Sequence, residues 1–272
     1  MSHIDKEYKK LIQSTLAGTE TDSRNGPIYV STGNQIKLSK LDFPVVSLRK
    51  TAWKLALREM EWFLSGSTNI NDLHESVHHW WEPWADAKGK IKHSYGAQFS
   101  RPGPGGYTQL EAFILRLKNT PFSRRNLMTT WNSLDMASAP IANCHGTVIQ
   151  AIFKGTLESN SKGFELLMFQ RSADVILGVP HNLVQYHALG QYLQHRTGHN
   201  FLGLTWVGGN CHLYKDHHEV ARKINVFPPE EIRQVCALSY TKPDHTDFRA
   251  DDFMITRDTY RPIFTDKPKM VV

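Results

Sequence analysis

Apolar residues at helical spacing open the chain. Ile4, Tyr8, Leu11, Ile12 and Leu16 share one face and predict an amphipathic first helix that stops near Gly18. The polar run ETDSRNGP follows as a loop and carries Arg24. Next, IYVSTGNQIKL alternates apolar and polar positions on both sides of Thr-Gly-Asn, the pattern of a β-hairpin. From about Lys50 to Leu64 the apolar positions Trp53, Leu55, Ala56, Met60, Trp62 and Phe63 cover most of a helix circumference, so this helix is predicted to be buried. Glu59 lies inside that run. A carboxylate in such a place is either ion-paired or used chemically, because burying it alone is costly.

The second half changes period. SRPGPGGY reads as a loop, and YTQLEAFILRLKN as a helix with Leu110, Phe113, Ile114 and Leu117 on one face. Strands are predicted over 146–154 and 163–170, flanking the turn LESNSKG. A helix over LVQYHALGQYLQHRTG and a strand over FLGLTWVGG come next, and His217 and His218 read as solvent-facing. No repeat, low-complexity tract or linker interrupts the chain, so residues 1–272 are expected to form a single domain.

Composition narrows the possibilities. With 40% hydrophobic residues the 272-residue chain can bury a substantial core. Its net charge of +6 is spread rather than clustered, which suits small anionic ligands and does not point to nucleic acid. The three cysteines form no CxxC pair, so a reducing, cytoplasmic setting is expected. MSHIDKEYKK lacks an apolar signal core, and no stretch is long and apolar enough to predict a membrane span.

Candidate chemistry centres on Cys144, in APIANCHGTVIQ, where a thiol precedes a β-branched run. The later segment FQRSADVILGVPHN brings Gln170, Arg171, Ser172 and Asp174, then Gly178 and Asn182. A guanidinium fixed beside a thiol lowers its pKa, and the thiolate is the nucleophile. His74, Glu75 and His78 spell H-E-x-x-H, the two-ligand zinc pattern, but Trp81 and Trp84 stand where the longer form needs Gly and a third His. No metal is expected.

An ordered series of motifs resembles the thymidylate synthase family, which also includes phage pyrimidine deoxynucleotide hydroxymethylases. The series comprises DSRNG at Arg24, FPVVSLRK at 43–50, REMEWFLSGSTNINDLHE at 58–75, WEPWADAKGKI at 81–91, YG at 95–96 and SRRNLMTTWN at 123–132. It continues through the Cys144 and Gln-Arg-Ser segments, GGNCHLYKDH at 208–217 and a short apolar C-terminus. Spread over nearly the whole chain, it is far more specific than any one motif.

The resemblance implies an α/β (α+β) fold with a large mixed β-sheet covered by helices, its other face packed in a homodimer. It implies folate-dependent one-carbon transfer to C5 of dUMP, with 5,10-methylenetetrahydrofolate as cosubstrate. Cys144 would be the nucleophile and Glu59 the acid/base. Arg171 would both activate the thiol and join Arg24, Ser172 and the partner's Arg124 and Arg125 on the phosphate. Gln170 and Tyr95 would contact the nucleotide, His212 and Tyr214 would both donate hydrogen bonds to a ribose hydroxyl, and Asn182 would read N3–H and O4 of uracil. On the folate side stand Arg49, Trp81, Trp84, Asp174, Gly178, His181 and Val271. Several positions depart from the family pattern toward polar groups: Asn143 before the cysteine, His93 and Ser94, Gln98-Phe99-Ser100, His181 and Asn210. A polar wall could hold a water at the exocyclic carbon, so the departures point to dUMP hydroxymethylation. Methylation to dTMP is the alternative, which Trp81 and the valine-ended tail favour.

Overall fold

The computed structural model describes residues 2–156, 158–159, 162–228, 235–242 and 245–271. In chain order the elements are α1 (His3–Leu16), β1 (Thr19–Thr21), β2 (Ile28–Ser39), α2 (Trp53–Leu64), α3 (Glu75–Trp81), α4 (Tyr95–Phe99) and α5 (Gln109–Asn119). They continue with β3 (Leu127–Met128), α6 (Ser133–Met136), β4 (Val148–Lys154), β5 (Gly163–Asp174), α7 (Gly178–Thr197), β6 (Phe201–Tyr214), α8 (His218–Val226), β7 (Ala237–Tyr240) and β8 (Phe253–Thr256). The expected turn over 157–163 and the end of the C-terminal tail fall partly outside the described residues.

Six strands form one mixed sheet in the order β1-β2-β6-β5-β4-β3, and β7 pairs with β8 separately. Among the described strands only β5 and β6 run parallel, and α7 makes the crossover that parallel neighbours require. One face of the sheet is dry. Ile149, Leu166, Met168, Leu204 and Trp206 point there and pack with α1, α2 and α7. The opposite face leaves Val148, Leu167, Phe169 and Val207 half-covered and Ile152 38% exposed. This is the mixed, helix-covered sheet of the expected fold class.

The hairpin predicted around Thr-Gly-Asn is not formed. β2 is one long strand, antiparallel to β6 from Ile28↔Tyr214 to Ser39↔Gly203. Gly33 adopts φ +70° in its middle, between the pairs Thr32↔Asn210 and Asn34↔Gly208. The glycine therefore serves an irregularity within the strand, because β6 is long enough to pair with both arms. The alternation was real; the turn was not.

Helix α2 has the predicted end but starts at Trp53, and its Ala56, Leu57, Glu59, Met60, Trp62 and Phe63 are buried. α7 begins earlier than its apolar pattern suggests, at Gly178, and is buried around nearly all of its circumference. Polar residues on such a helix need partners inside the protein. Asn182, Gln185 and His187 are those residues. No helix among the described residues is long and apolar enough to cross a membrane.

Candidate active site

Between the C-terminal ends of β5 and β6, α2, the start of α7 and the C-terminal tail lies a cavity of about 1210 Å³. Every residue named from the sequence as a site candidate lines it except Arg124 and Arg125. Those two arginines are exposed, in the turn between α5 and β3.

Cys144 stands in the loop that enters β4. Gly146, at φ +64°, turns the chain there, and a Cβ on it would meet the Tyr186 hydroxyl at 2.2 Å, so only glycine fits. The backbone N–H groups of Cys144 and His145 donate to the Tyr95 hydroxyl at 2.7 and 3.3 Å. Tyr95 stacks on the His145 ring at 4.3 Å, and His145 Nδ1 meets the Tyr186 hydroxyl at 2.9 Å. Burial drives the His145 pKa down to about 3, so this ring is a neutral brace for the cysteine loop.

Arg171 reaches the thiol from β5, with Nη2 at 3.9 Å from Sγ and at 3.4 and 3.5 Å from the Asn143 and Ala142 carbonyls. Its guanidinium lies over Trp131, 4.9 Å from the ring centroid. The expected net fall in the thiol pKa is not found. Burial pushes Cys144 above the ordinary thiol value, and Arg171, a Ser172 hydrogen bond and Arg24 pull it only part of the way back. Desolvation is the largest influence, and the Nη2 that reaches the sulfur also lies near two backbone carbonyls. Nε of Arg171 is buried with no protein partner.

A second wall is built on α2 and α7. Glu59 accepts Trp81 Nε1–H at 2.7 Å and Gln185 Nε2–H at 2.8 Å. Burial nevertheless raises its pKa to about 7, a poise suited to proton transfer at neutral pH. Gln185 Oε1 accepts from Asn182 Nδ2 at 3.0 Å, and Gln170 Nε2 donates to Asn182 Oδ1 at 3.0 Å. Trp206 Nε1–H closes the series on Gln170 Oε1 at 2.9 Å. Gln185 was not singled out from the sequence. Its signal was available: a glutamine in an apolar run, one helical turn beyond Asn182.

The outer part of the cavity is more apolar. Leu55, Trp80, Trp81, Trp84 and Leu177 line it, and Met270 and Val271 approach from the tail. Asp174 Oδ1 accepts the Ile176 and Leu177 N–H groups at 2.8 and 3.0 Å, which fixes the entry to α7. Arg49 Nη1 donates to the Ile176 carbonyl at 2.6 Å. Its loop is held by Asp5, whose Oδ1 accepts Ser47 and Leu48 N–H at 2.7 and 3.0 Å. His212 Nδ1 contacts Asn210 Oδ1 at 3.2 Å, and burial depresses the His212 pKa. The neutral ring therefore presents Nε2 as an acceptor rather than a donor.

The departures noted in the sequence separate in space. Asn143, Ser94 and Gln98 are buried behind the cysteine loop, where Asn143 Nδ2 donates to the Thr130 and His93 carbonyls at 2.9 and 3.4 Å. His181 does line the cavity, but Nδ1–H donates to the Leu177 carbonyl at 2.8 Å and Nε2 accepts Ala52 N–H at 3.2 Å. Burial and then Arg49 hold its pKa near 3, so both ring nitrogens are already engaged by backbone.

Two further expectations are corrected. His217 is buried, 2% exposed, because the tail covers it and Lys269 contributes its carbonyl to Nε2 at 2.9 Å. His218 is half-buried, its ring 4.3 Å from that of Tyr29. The histidines of H-E-x-x-H have local roles: His74 Nδ1 caps α3 and contacts Arg58 at 3.2 Å, while His78 Nε2 meets the Leu73 carbonyl at 2.6 Å.

Comparison with known proteins identifies the family. The family model described as "Thymidylate synthase" matches residues 6–272. A thymidylate synthase of Corynebacterium aurimucosum is 32% identical over 259 residues, covering 93% of each chain. The chain belongs to the thymidylate synthase family and is a one-carbon transferase.

Proposed function

We propose that this protein is a thymidylate synthase, converting dUMP to dTMP with 5,10-methylenetetrahydrofolate. The carrying observation is the cavity's division into a charged part around a thiol and a hydrogen-bonded part around a neutral-poised carboxylate. Its volume of about 1210 Å³ exceeds the roughly 300–1,000 Å³ of a single-ligand pocket, as two substrates bound together require.

Cys144, once ionised, adds to C6 of uracil, and the C5–C6 electron pair moves toward C5 and O4; once C5 has gained its substituent and lost its proton, the enolate expels the thiolate and restores the C5–C6 double bond. Asn182 holds N3–H with Oδ1 and O4 with Nδ2, while Glu59 moves protons on that side of the ring. Arg24, Arg171 and Ser172 bind the phosphate, and His212 Nε2 accepts from a ribose hydroxyl beside Tyr214.

The folate fits the outer cavity, where the tryptophans give a flat apolar wall and Asp174 keeps its second oxygen for a pterin N–H. Arg49, His181, Gly178 and Val271 border the same space. When bound, it would supply the one-carbon unit and a hydride. The half-covered apolar side chains on the open face of the sheet support a homodimer. Arg124 and Arg125 then reach the partner's phosphate site.

Methylation is preferred over hydroxymethylation because the polar departures do not assemble a water-holding wall. Three are buried elsewhere, and His181 has spent both nitrogens on backbone. Asn210 lines the cavity with an amide that can hold water, and it keeps 5-hydroxymethyl-dUMP as the second reading. Incubation with dUMP and methylenetetrahydrofolate is expected to give dTMP and stoichiometric dihydrofolate. Tetrahydrofolate with 5-hydroxymethyl-dUMP would overturn the assignment in favour of the second reading.

A further inference from the structure

We infer that Gln185 is a positioning residue that dictates which end of the Asn182 amide faces each edge of a bound pyrimidine. The inference deepens, and rests on, the uridine-nucleotide reading above.

An asparagine amide is nearly symmetric in shape but not in chemistry. With the oxygen toward N3 and the nitrogen toward the 4-substituent it matches uracil. Turned over, it matches cytosine, whose N3 accepts and whose N4 donates. Something must forbid the turn. The two ends of the hydrogen-bond series supply it.

At one end Trp206 Nε1–H can only donate, so Gln170 must show it Oε1, 2.9 Å away. Gln170 then has only its nitrogen for Asn182, and Nε2–H meets Oδ1 at 3.0 Å. At the other end Gln185 Nε2 lies 3.0 Å from the Ala56 carbonyl and 2.8 Å from Glu59 Oε2, both acceptors. Gln185 is therefore obliged to show Oε1 to Asn182, whose Nδ2 donates across 3.0 Å. Both neighbours enforce the same orientation. Turning Asn182 would set nitrogen against nitrogen at Gln170 and oxygen against oxygen at Gln185, in a region where Gln170 and Gln185 are 2% and 0% exposed and solvent cannot repair the mismatch.

The Ala56 carbonyl makes the arrangement robust. It demands a donor whatever the proton state of Glu59, so Gln185 stays oriented through the reaction. Asn182 itself is 5% exposed and lines the cavity, leaving one lone pair and one N–H for the base.

The test compares dUMP and dCMP binding by titration calorimetry in the full chain and in Gln185→Met, which keeps length without polarity. The expected result is a fall in the dUMP-over-dCMP preference by roughly tenfold or more, the effect of unmaking a buried hydrogen bond. Most of that fall should come from weaker dUMP binding, with dCMP unchanged or improved. Trp206→Phe releases the other end and should lower the same ratio; if Gln185→Met does not fold, this variant decides. An unchanged ratio, or equal weakening of both nucleotides as simple damage would produce, overturns the inference. If the unaltered protein binds dUMP no better than dCMP, the uridine reading falls first and takes this inference with it.

Discussion

The two walls of the cavity are finished to different degrees. Around Glu59 and Asn182 each amide and carboxylate has named partners, from Trp206 to Trp81. Around Cys144 the balance is left open: Arg171 Nε has no protein partner, and Arg24 bonds only to its neighbour Asn25, at 3.1 Å, in the contacts described. The satisfied wall defines a shape and a pattern before any ligand arrives. The open wall keeps positive charge in reserve for an anion, at a cost in stability that binding repays. On the proposed function, specificity is assigned to the first wall and affinity to the second.

The sharpest way to break this division is to remove the sulfur. Cys144→Ser is expected to lower turnover by roughly a thousandfold or more, with dUMP binding retained. Substantial residual turnover in single-turnover assays would show that the open wall is not where bond formation occurs. On the opposite wall, Glu59→Gln should cut kcat by about a hundredfold or more and change dUMP binding little. The unaltered enzyme should also show a limb in its pH–rate profile near pH 7, matching the raised carboxyl. A profile flat through that range would remove the acid/base role.

Charge removal tests the reserve directly. Arg171→Gln should weaken dUMP roughly tenfold or more and carry the thiol further upward, since the guanidinium is the largest influence opposing burial. Alkylation of Cys144 by iodoacetamide, followed against pH, would then show its midpoint displaced to more alkaline pH; an undisplaced midpoint would mean the two groups are uncoupled. Asn182→Asp should move preference toward dCMP by about tenfold, and an unaltered preference would remove base recognition from that residue.

The smallest expected effect concerns a group that is half finished in the same sense. Asp5 has one oxygen answered by two backbone N–H groups and the other buried without a partner, and burial raises its pKa to about 6. Its folded value lies above the ordinary carboxylate value, so its contribution to stability is greatest below about pH 4 and is lost as pH rises through 6. The linked change is about 3 kcal/mol. Asp5→Asn should flatten that part of the melting-temperature profile, and an identical slope in both proteins would count against the assignment.

Much of this was readable from residue order. The buried character of α2 and the inward Glu59 followed from periodicity, and the meeting of Cys144 with Arg171 followed from the resemblance. What escaped depended on distant chain segments. Gly33 looked like a turn because its neighbours alternate, yet the pairing was decided by β6, far along the chain at Gly208 and Asn210. His217 looked solvated because the tail that covers it arrives some fifty positions later. The net pKa of Cys144 depended on how deeply its loop is enclosed, which no local pattern reports. Likewise, the departures at Asn143, Ser94 and Gln98 seemed to share a pocket only because they were compared position by position; their side chains turn into packing instead.

The direct passage from β5 into α7 has a consequence for redesign. Gln170, Arg171, Ser172, Asp174, Asn182 and Gln185 all belong to that one continuous strand–turn–helix segment. On the assignment proposed above, nucleobase choice and phosphate capture are therefore mechanically yoked, and changing the letter read without disturbing the grip calls for exchanging the whole segment with its supporting indole, rather than editing a lone position.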